Sequence, residues 1–289
     1  MDYLNLYLET INSAPFFLPL IFAGLLGLIV GSFLNVIILR HDTDEKIDGR
    51  SHCVNCDYQL RWHDLIPVFS WLWLKGRCRK CDKKISIQYP LVEISTAIVF
   101  IALYHHAFQF TFLPAIGIFV FIWNAIMFSI LIAIFVYDLK HKIIPNKWSY
   151  TFAILALIQT LLLIPFGEIF GEFRNIESIL NLWAGVILFL PFFLLWYVSD
   201  GKWIGLGDGK LAIGIGWFLG FVHGLSAVIL AFWIGAAIAV LVMLIDRLNK
   251  GSGSITMKSE IPFGPFLILG ILIQFFWPID VIGISIFFM

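Results

Sequence analysis

Hydrophobic positions along this chain come in long, predominantly apolar runs, not in the alternating pattern of a strand. Apolar runs occupy roughly residues 15–39, 88–104, 113–137, 148–165, 178–198, 209–222, 225–245 and 261–277. A helix needs about 20 apolar residues to cross a bilayer, so the pattern predicts about eight transmembrane helices. The second and sixth runs are short, and the sixth is rich in glycine. No alternating pattern of period two recurs, which excludes a transmembrane β-barrel. The expected fold is an all-α polytopic membrane protein.

Composition agrees. Of 289 residues, 60% are hydrophobic and only 13% charged, against about 25% charged in soluble domains. That excludes a disordered chain, a coiled coil and an ordinary soluble enzyme. Lys plus Arg equals Asp plus Glu, 19 each, so no overall charge draws the chain to nucleic acid.

Charge becomes informative once it is sorted by loop. Loops 40–87, 138–147, 199–210 and 246–260 hold 18 of the 19 Lys and Arg residues, and Arg174 alone lies in the others. With eight spans these four loops share one side. Positive charge marks the cytoplasmic side, so they face the cytoplasm and both termini face out. No Lys or Arg precedes Arg40, and no small-residue cleavage pattern follows the first run, so the first run is expected to be a retained span. The domains predicted are a first transmembrane segment at 1–39, a cytoplasmic domain at 40–87 and a transmembrane core at 88–289.

All four cysteines lie in loop 40–87, as Cys53-Val54-Asn55-Cys56 and Cys78-Arg79-Lys80-Cys81. Two such knuckles can close a tetrahedral four-thiolate site, as in zinc ribbons. The loop is too small for a good core, and a metal would supply folding energy. Disulfides are the competing reading, but they rarely persist in the cytosol. The expectation is structural zinc on Cys53, Cys56, Cys78 and Cys81, with His52 and His63 as solvated loop residues.

Two acids stand at the edges of apolar runs. Asp138 ends the third, ahead of Ile143-Ile144-Pro145-Asn146. Asp208 precedes the sixth, within Gly205-Leu206-Gly207-Asp208-Gly209-Lys210. The third span runs inward and the sixth starts inside, so both carboxyls reach the cytoplasmic rim. Two facing carboxyls can divide labour, one taking a proton from water and the other polarising an amide carbonyl. Gly205, Gly207 and Gly209 would let a substrate backbone approach. Gly214, Gly216 and Gly220 would let the span pack closely. The competing reading pairs either acid with Lys140, Lys142 or Lys210. Asp64, Asp200, Asp246 and Asp280 read as interfacial charges, and Ser32 and Asn35 as interhelical hydrogen-bond partners.

At this point the chain resembles the type IV prepilin peptidases, membrane aspartic proteases of the GxGD type. The likeness is carried by Gly31-Ser32-Phe33-Leu34-Asn35-Val36, both knuckles, Trp62-His63-Asp64 with Pro67-Val68, and Tyr89-Pro90-Leu91-Val92-Glu93. Asp138 with Ile144-Pro145, the Gly205–Leu211 segment, and Pro262-Phe263-Gly264-Pro265-Phe266 complete it. Asn146 stands where the family commonly has Asp. The resemblance implies a bifunctional enzyme of the bacterial inner membrane. It would cleave the basic leader of type IV prepilins or type II secretion pseudopilins with Asp138 and Asp208. It would then methylate the new N-terminus with S-adenosylmethionine. Glu93, beside the cytoplasmic loop, is a candidate cofactor or substrate-amine contact. The alternatives are a peptidase without methyltransferase activity, a non-catalytic zinc-stabilised scaffold, and a transporter. Against the transporter, the third to fifth runs contain no Asp, Glu, Lys or Arg.

Overall fold

A computed structural model describes residues 17–41, 49–109, 113–163, 176–248, 262–281 and 283. Arg174, Lys46, Lys250, Lys258 and Ile261 lie outside them. The described residues are helical with no strand, and the chain divides into two compact units, residues 1–133 and 134–289. Among the described residues, five helices are long and apolar enough to cross a membrane.

In the first unit, α1 (Phe17–Arg40) packs along α3 (Gln88–Gln109). Small residues make the close approach possible. A Cβ at Gly27 would stand 2.6 Å from Ala97 Cα, and one at Gly31 would stand 2.8 Å from Glu93 Cα. Without a solvent-driven hydrophobic force between helices in lipid, such bare backbone contact and interhelical polar bonds hold them together. Asn35, buried on α1, donates to the Tyr89 carbonyl at 3.2 Å and to its own Gly31 carbonyl. Phe22, Ile29 and Phe33 on the other face are exposed, as lipid-facing side chains should be.

Between these helices lies a compact loop with a 3-10 turn (Trp62–Leu65) and a short helix α2 (Phe69–Trp73). Its two knuckles are one turn built twice. Cys53 N–H donates to Tyr58 O and Asp57 N–H to Cys53 O, both 3.0 Å. Cys78 N–H donates to Lys83 O at 2.9 Å and Asp82 N–H to Cys78 O at 3.0 Å. Asp57 (φ 50°) and Asp82 (φ 58°) both adopt the left-handed conformation, which Asp tolerates better than most residues. Cys-x-x-Cys-Asp is therefore the repeating unit.

Helix α4 (Pro114–His141) runs into the second unit. There α7 (Leu206–Leu248) is central, flanked by α5 (Asn146–Leu163), α6 (Ile176–Val198) and α8 (Gly264–Phe276). The reason is again small residues. A Cβ on Gly216 would reach 2.5 Å from the Ala184 backbone of α6, and one on Gly214 would clash with the Phe152 ring of α5. Polar bonds reinforce the seam: Thr160 Oγ1 donates to Trp217 O at 2.5 Å, and Trp217 Nε1 donates to Leu182 O at 2.9 Å.

The sixth and seventh apolar runs form two helices, as expected, which meet at a kink at Gly220 within the 43 residues of α7. At 1.5 Å per residue that is about 64 Å, twice the roughly 30 Å hydrocarbon core, so a break is required. Gly220 supplies it with φ 77°, which an L side chain rarely adopts. Asn181 Oδ1 accepts the freed Phe221 N–H at 2.9 Å. Of the other expected spans, α5 has 18 residues and α8 only 13; neither is among the five helices that qualify as membrane-crossing.

Candidate active site and metal centre

Asp138 lies in the last turn of α4, and Asp208 in the first turn of α7, both in the second unit and both buried. The sequence turns back at Lys142, whose N–H donates to Asp138 O at 2.7 Å and whose φ is 56°. Ile143 to Pro145 then carry the chain into α5, placing the buried Ile144 against α7 and α8. Ile144 is the common neighbour. A Cβ at Gly207 would lie 3.1 Å from Ile144 Cβ, and one at Gly264 would lie 3.0 Å from Ile144 Cδ1 and 2.6 Å from Asp138 Oδ2. Asp208 sits within electrostatic reach of Asp138. The backbone N–H of Gly264 faces the Asp138 carboxyl, and that of Gly205 the Asp208 carboxyl.

Neither aspartate forms an ion pair with a lysine among the described residues. Lys210, two residues after Asp208, instead donates to Asn146 Oδ1 at 2.7 Å and lies 5.3 Å from the Tyr150 ring centre. Two close, buried carboxyls without a cation can share a proton, and such a pair can act as base and acid on one water and one carbonyl.

The three glycines flanking Asp208 divide. Gly207 accommodates Ile144, and Gly209 accommodates Phe189 and Phe192, each at 3.1–3.2 Å from where a Cβ would stand. Only Gly205 is open: its nearest such neighbour is Asp208 Oδ2 at 3.5 Å.

In the first unit the four cysteine Sγ atoms lie within 4.8 Å of one another, close enough to bind a metal. Cys53 and Cys81 Sγ are 3.8 Å apart. A tetrahedral ion with bonds of about 2.3 Å requires sulfurs about 3.8 Å apart, so the donor set fits zinc. The thiols also titrate unlike free cysteines. The Lys83 backbone N–H holds Cys81 down at about 7. The Tyr58 N–H pulls Cys56 down, but burial and the neighbouring thiols outweigh it and push Cys56 up to about 12. Four crowded thiols cannot all ionise without a cation among them.

Asp64, expected as an interfacial charge, is instead a buried support of this loop. Its carboxylate accepts from Arg79 Nη2 at 2.8 Å and Nε at 2.9 Å, and from the Arg61 N–H at 3.1 Å. Burial raises the Asp64 carboxyl, but Arg79 and the Arg61 N–H outweigh it and hold it below the ordinary aspartate value. Arg79 lies inside the second knuckle, so this pair ties the knuckle to the 3-10 turn. The charges at both positions were visible in the sequence; their pairing required the fold.

Glu93 is likewise no partner of Lys83 or Lys84. It is buried on α3, and its Oε2 accepts the Val68 N–H at 2.7 Å. Val68 has φ 61°, rare for a β-branched residue, and the Glu93 bond fixes it there. Ser32 on α1 also hydrogen-bonds this carboxyl. His63 stands 3.7 Å from Asp64, and His52 Nδ1 lies 3.4 Å from Arg50 O.

Comparison with known proteins accounts for both units. Residues 25–107 match the Bacterial Peptidase A24 N-terminal domain, and residues 125–240 match the Type IV leader peptidase family. The chain is 34% identical to the prepilin leader peptidase/N-methyltransferase of Myxococcus xanthus (strain DK1622), over 81% of this chain and 67% of that protein. It is 30% identical to the protein so named in Pectobacterium carotovorum subsp. carotovorum, over 86% of this chain and 89% of that one. The Aeromonas hydrophila protein of that name is 27% identical over 94% of this chain and 95% of its own. No solved structure matches. On these matches, which cover most of its length, the chain belongs to the type IV leader peptidase family.

Proposed function

We propose that this protein cleaves the leader of type IV prepilins or pseudopilins at the cytoplasmic face of the bacterial inner membrane, and methylates the new N-terminus. The observation that carries the peptidase reading is the convergence of Asp138 and Asp208 around Ile144, buried and without a lysine partner among the described residues. One carboxylate takes a proton from a water molecule, whose oxygen attacks the scissile carbonyl. The other, protonated, donates to that carbonyl oxygen. Collapse of the tetrahedral intermediate breaks the C–N bond as a proton passes to the leaving nitrogen. A pilin precursor is a membrane helix with a basic leader, so its scissile bond reaches the membrane rim. Unwinding is needed there because a helical amide is shielded by its own hydrogen bonds. Gly205 offers the open backbone for that strand.

Eight spans with the basic loops inside satisfy the charge asymmetry. The loop at 40–87 then forms a cytoplasmic zinc-ribbon-like domain, and 88–289 the peptidase core. Cys53, Cys56, Cys78 and Cys81 hold a structural zinc, a closed site with no position for substrate. S-adenosylmethionine supplies an electrophilic methyl group. A carboxylate suits a sulfonium or an amine, and Glu93, with one oxygen committed to Val68, is the candidate contact.

The test uses the full chain in proteoliposomes with a purified prepilin. Asp138→Asn and Asp208→Asn are each expected to insert normally and lose cleavage by about 1,000-fold, within the range for general acid–base groups. Wild-type cleavage by either variant refutes the dyad. Labelled S-adenosylmethionine in the same assay reads methylation separately.

A further inference from the structure

The Pro262–Phe266 segment carries no side chain with acid, base or nucleophilic chemistry, yet it meets Asp138 directly. Gly264 opens α8, with Phe263 as its N-cap. The donors of that first turn can be accounted for one by one. Pro265 has no N–H. Phe266 N–H and Leu267 N–H both donate to Phe263 O, at 3.0 and 3.2 Å. The Gly264 N–H remains, and it is directed at the Asp138 carboxyl. The same residue is tightly enclosed: an added Cβ would stand 2.6 Å from Asp138 Oδ2 and 3.3 Å from its Cγ. Real Cβ atoms do not approach that closely, so any side chain here must displace the carboxyl.

We propose that Gly264 is a positioning residue for Asp138, its missing side chain admitting the carboxyl and its N–H fixing the orientation. The inference rests on the dyad reading. It gives the Pro-Phe-Gly-Pro-Phe segment a task that its side chains do not disclose. Pro265 removes a competing donor and starts the helix, leaving the Gly264 amide to the acid. A side chain at 264 would turn the carboxylate away from the attacking water.

The test compares Gly264→Ala, Ile144→Val and the double variant with wild type, in proteoliposomes with purified prepilin. Ile144 is included because its Cδ1 is the other close neighbour, at 3.0 Å. Gly264→Ala is expected to lower kcat by about 100-fold, the scale of a 1 Å misplacement, with KM within about twofold. Ile144→Val serves as the reference for the double variant, which should be slower than Ile144→Val by the same factor that separates Gly264→Ala from wild type. Wild-type kcat in Gly264→Ala, or its recovery in the double variant, overturns the proposal. If Gly264→Ala does not fold, Asp138→Ala/Gly264→Ala should yield monodisperse protein because the clashing carboxyl is gone; continued misfolding overturns the proposal too. Asp138→Asn run alongside separates the readings. If it cleaves normally the dyad itself fails, whereas an inactive Asp138→Asn beside an active Gly264→Ala sinks only this inference.

Discussion

Lys210 Nζ donates to Asn146 Oδ1 at 2.7 Å, joining the first turn of α7 to the first turn of α5. The two residues flank the proposed site from opposite sides in sequence, Lys210 following Asp208 and Asn146 following Ile144-Pro145. The bond engages the Lys210 cation with an amide rather than with either carboxyl. Because the contact is exposed, its net worth is about 1 kcal/mol. Lys210→Ala is expected to slow prepilin cleavage by less than about tenfold. Asn146→Asp, which turns the bond into an ion pair, should retain full cleavage. A gel-shift time course with purified prepilin checks both; complete inactivity of Asn146→Asp contradicts the tether.

The glycines around Asp208 predict a split between stability and activity. Gly205→Ala meets nothing closer than 3.5 Å, so the melting temperature in detergent should stay within about 2 °C of wild type. Its cleavage rate should fall, because a methyl group would occupy the space left for substrate backbone. Gly216→Ala should do the reverse of the first part. Its Cβ would lie 2.5 Å from the Ala184 backbone, which cannot move aside, and overpacking of this kind costs about 1–3 kcal/mol. Equal melting temperatures for the two variants would contradict the packing assignment.

How much of this was legible in the sequence follows from what kind of group does the work. Asp138, Asp208 and the four cysteines announce themselves because their chemistry resides in side chains at telling separations. The apolar runs announce helices because only a helix satisfies its own backbone in lipid. Gly264 carries no such signal, since its contribution is an amide and an absence of bulk. Asp64 and Arg79 lie fifteen residues apart in a loop of many charges, and nothing in their spacing selects that pair. Gly220 in sequence suggests only close packing; its larger effect, the kink between two helices, depends on a φ of 77° that composition does not reveal. The one local signal passed over was the Asp after each knuckle, Asp57 and Asp82, whose matching positive φ values complete the repeated turn.

For the cysteine cluster, the prediction is one zinc per chain by metal analysis of the purified protein. Cys78→Ser, at the most buried of the four positions, should abolish it and expose residues 49–87 to protease. A subtler variant tests the geometry. Asn55 Nδ2 lies 3.7 Å from Cys81 Sγ, and partners of this outer kind typically alter metal affinity by about 10–100-fold when removed. Asn55→Ala is expected to weaken zinc retention against a chelator by about tenfold without changing stoichiometry. Full zinc retention in Cys78→Ser contradicts the four-thiolate site.

Asp64 and Arg79 give the loop a defined acid limit. The Asp64 side chain is 1% exposed and the Arg79 side chain 42%, so the pair is half screened and worth about 1–2 kcal/mol after that discount. The folded-state value of Asp64 lies below its ordinary 3.8. The carboxylate is therefore favoured in the fold, and its stabilisation is fully present above the unfolded-chain value. It disappears as pH falls through the lower folded-state value. Arg79→Ala strands the carboxylate at neutral pH. Protease protection of the loop, measured with zinc present, should weaken in Arg79→Ala at pH 7. Arg79→Lys should recover only part of it, because a lysine lacks the rigid guanidinium plane that brings two N–H donors to Oδ1 together. Asp64→Asn should lose protection at pH 7 as Arg79→Ala does, since an amide is a poor acceptor for a guanidinium. Undiminished protection in either of these variants would mean that the pair contributes nothing to holding the second knuckle on the 3-10 turn.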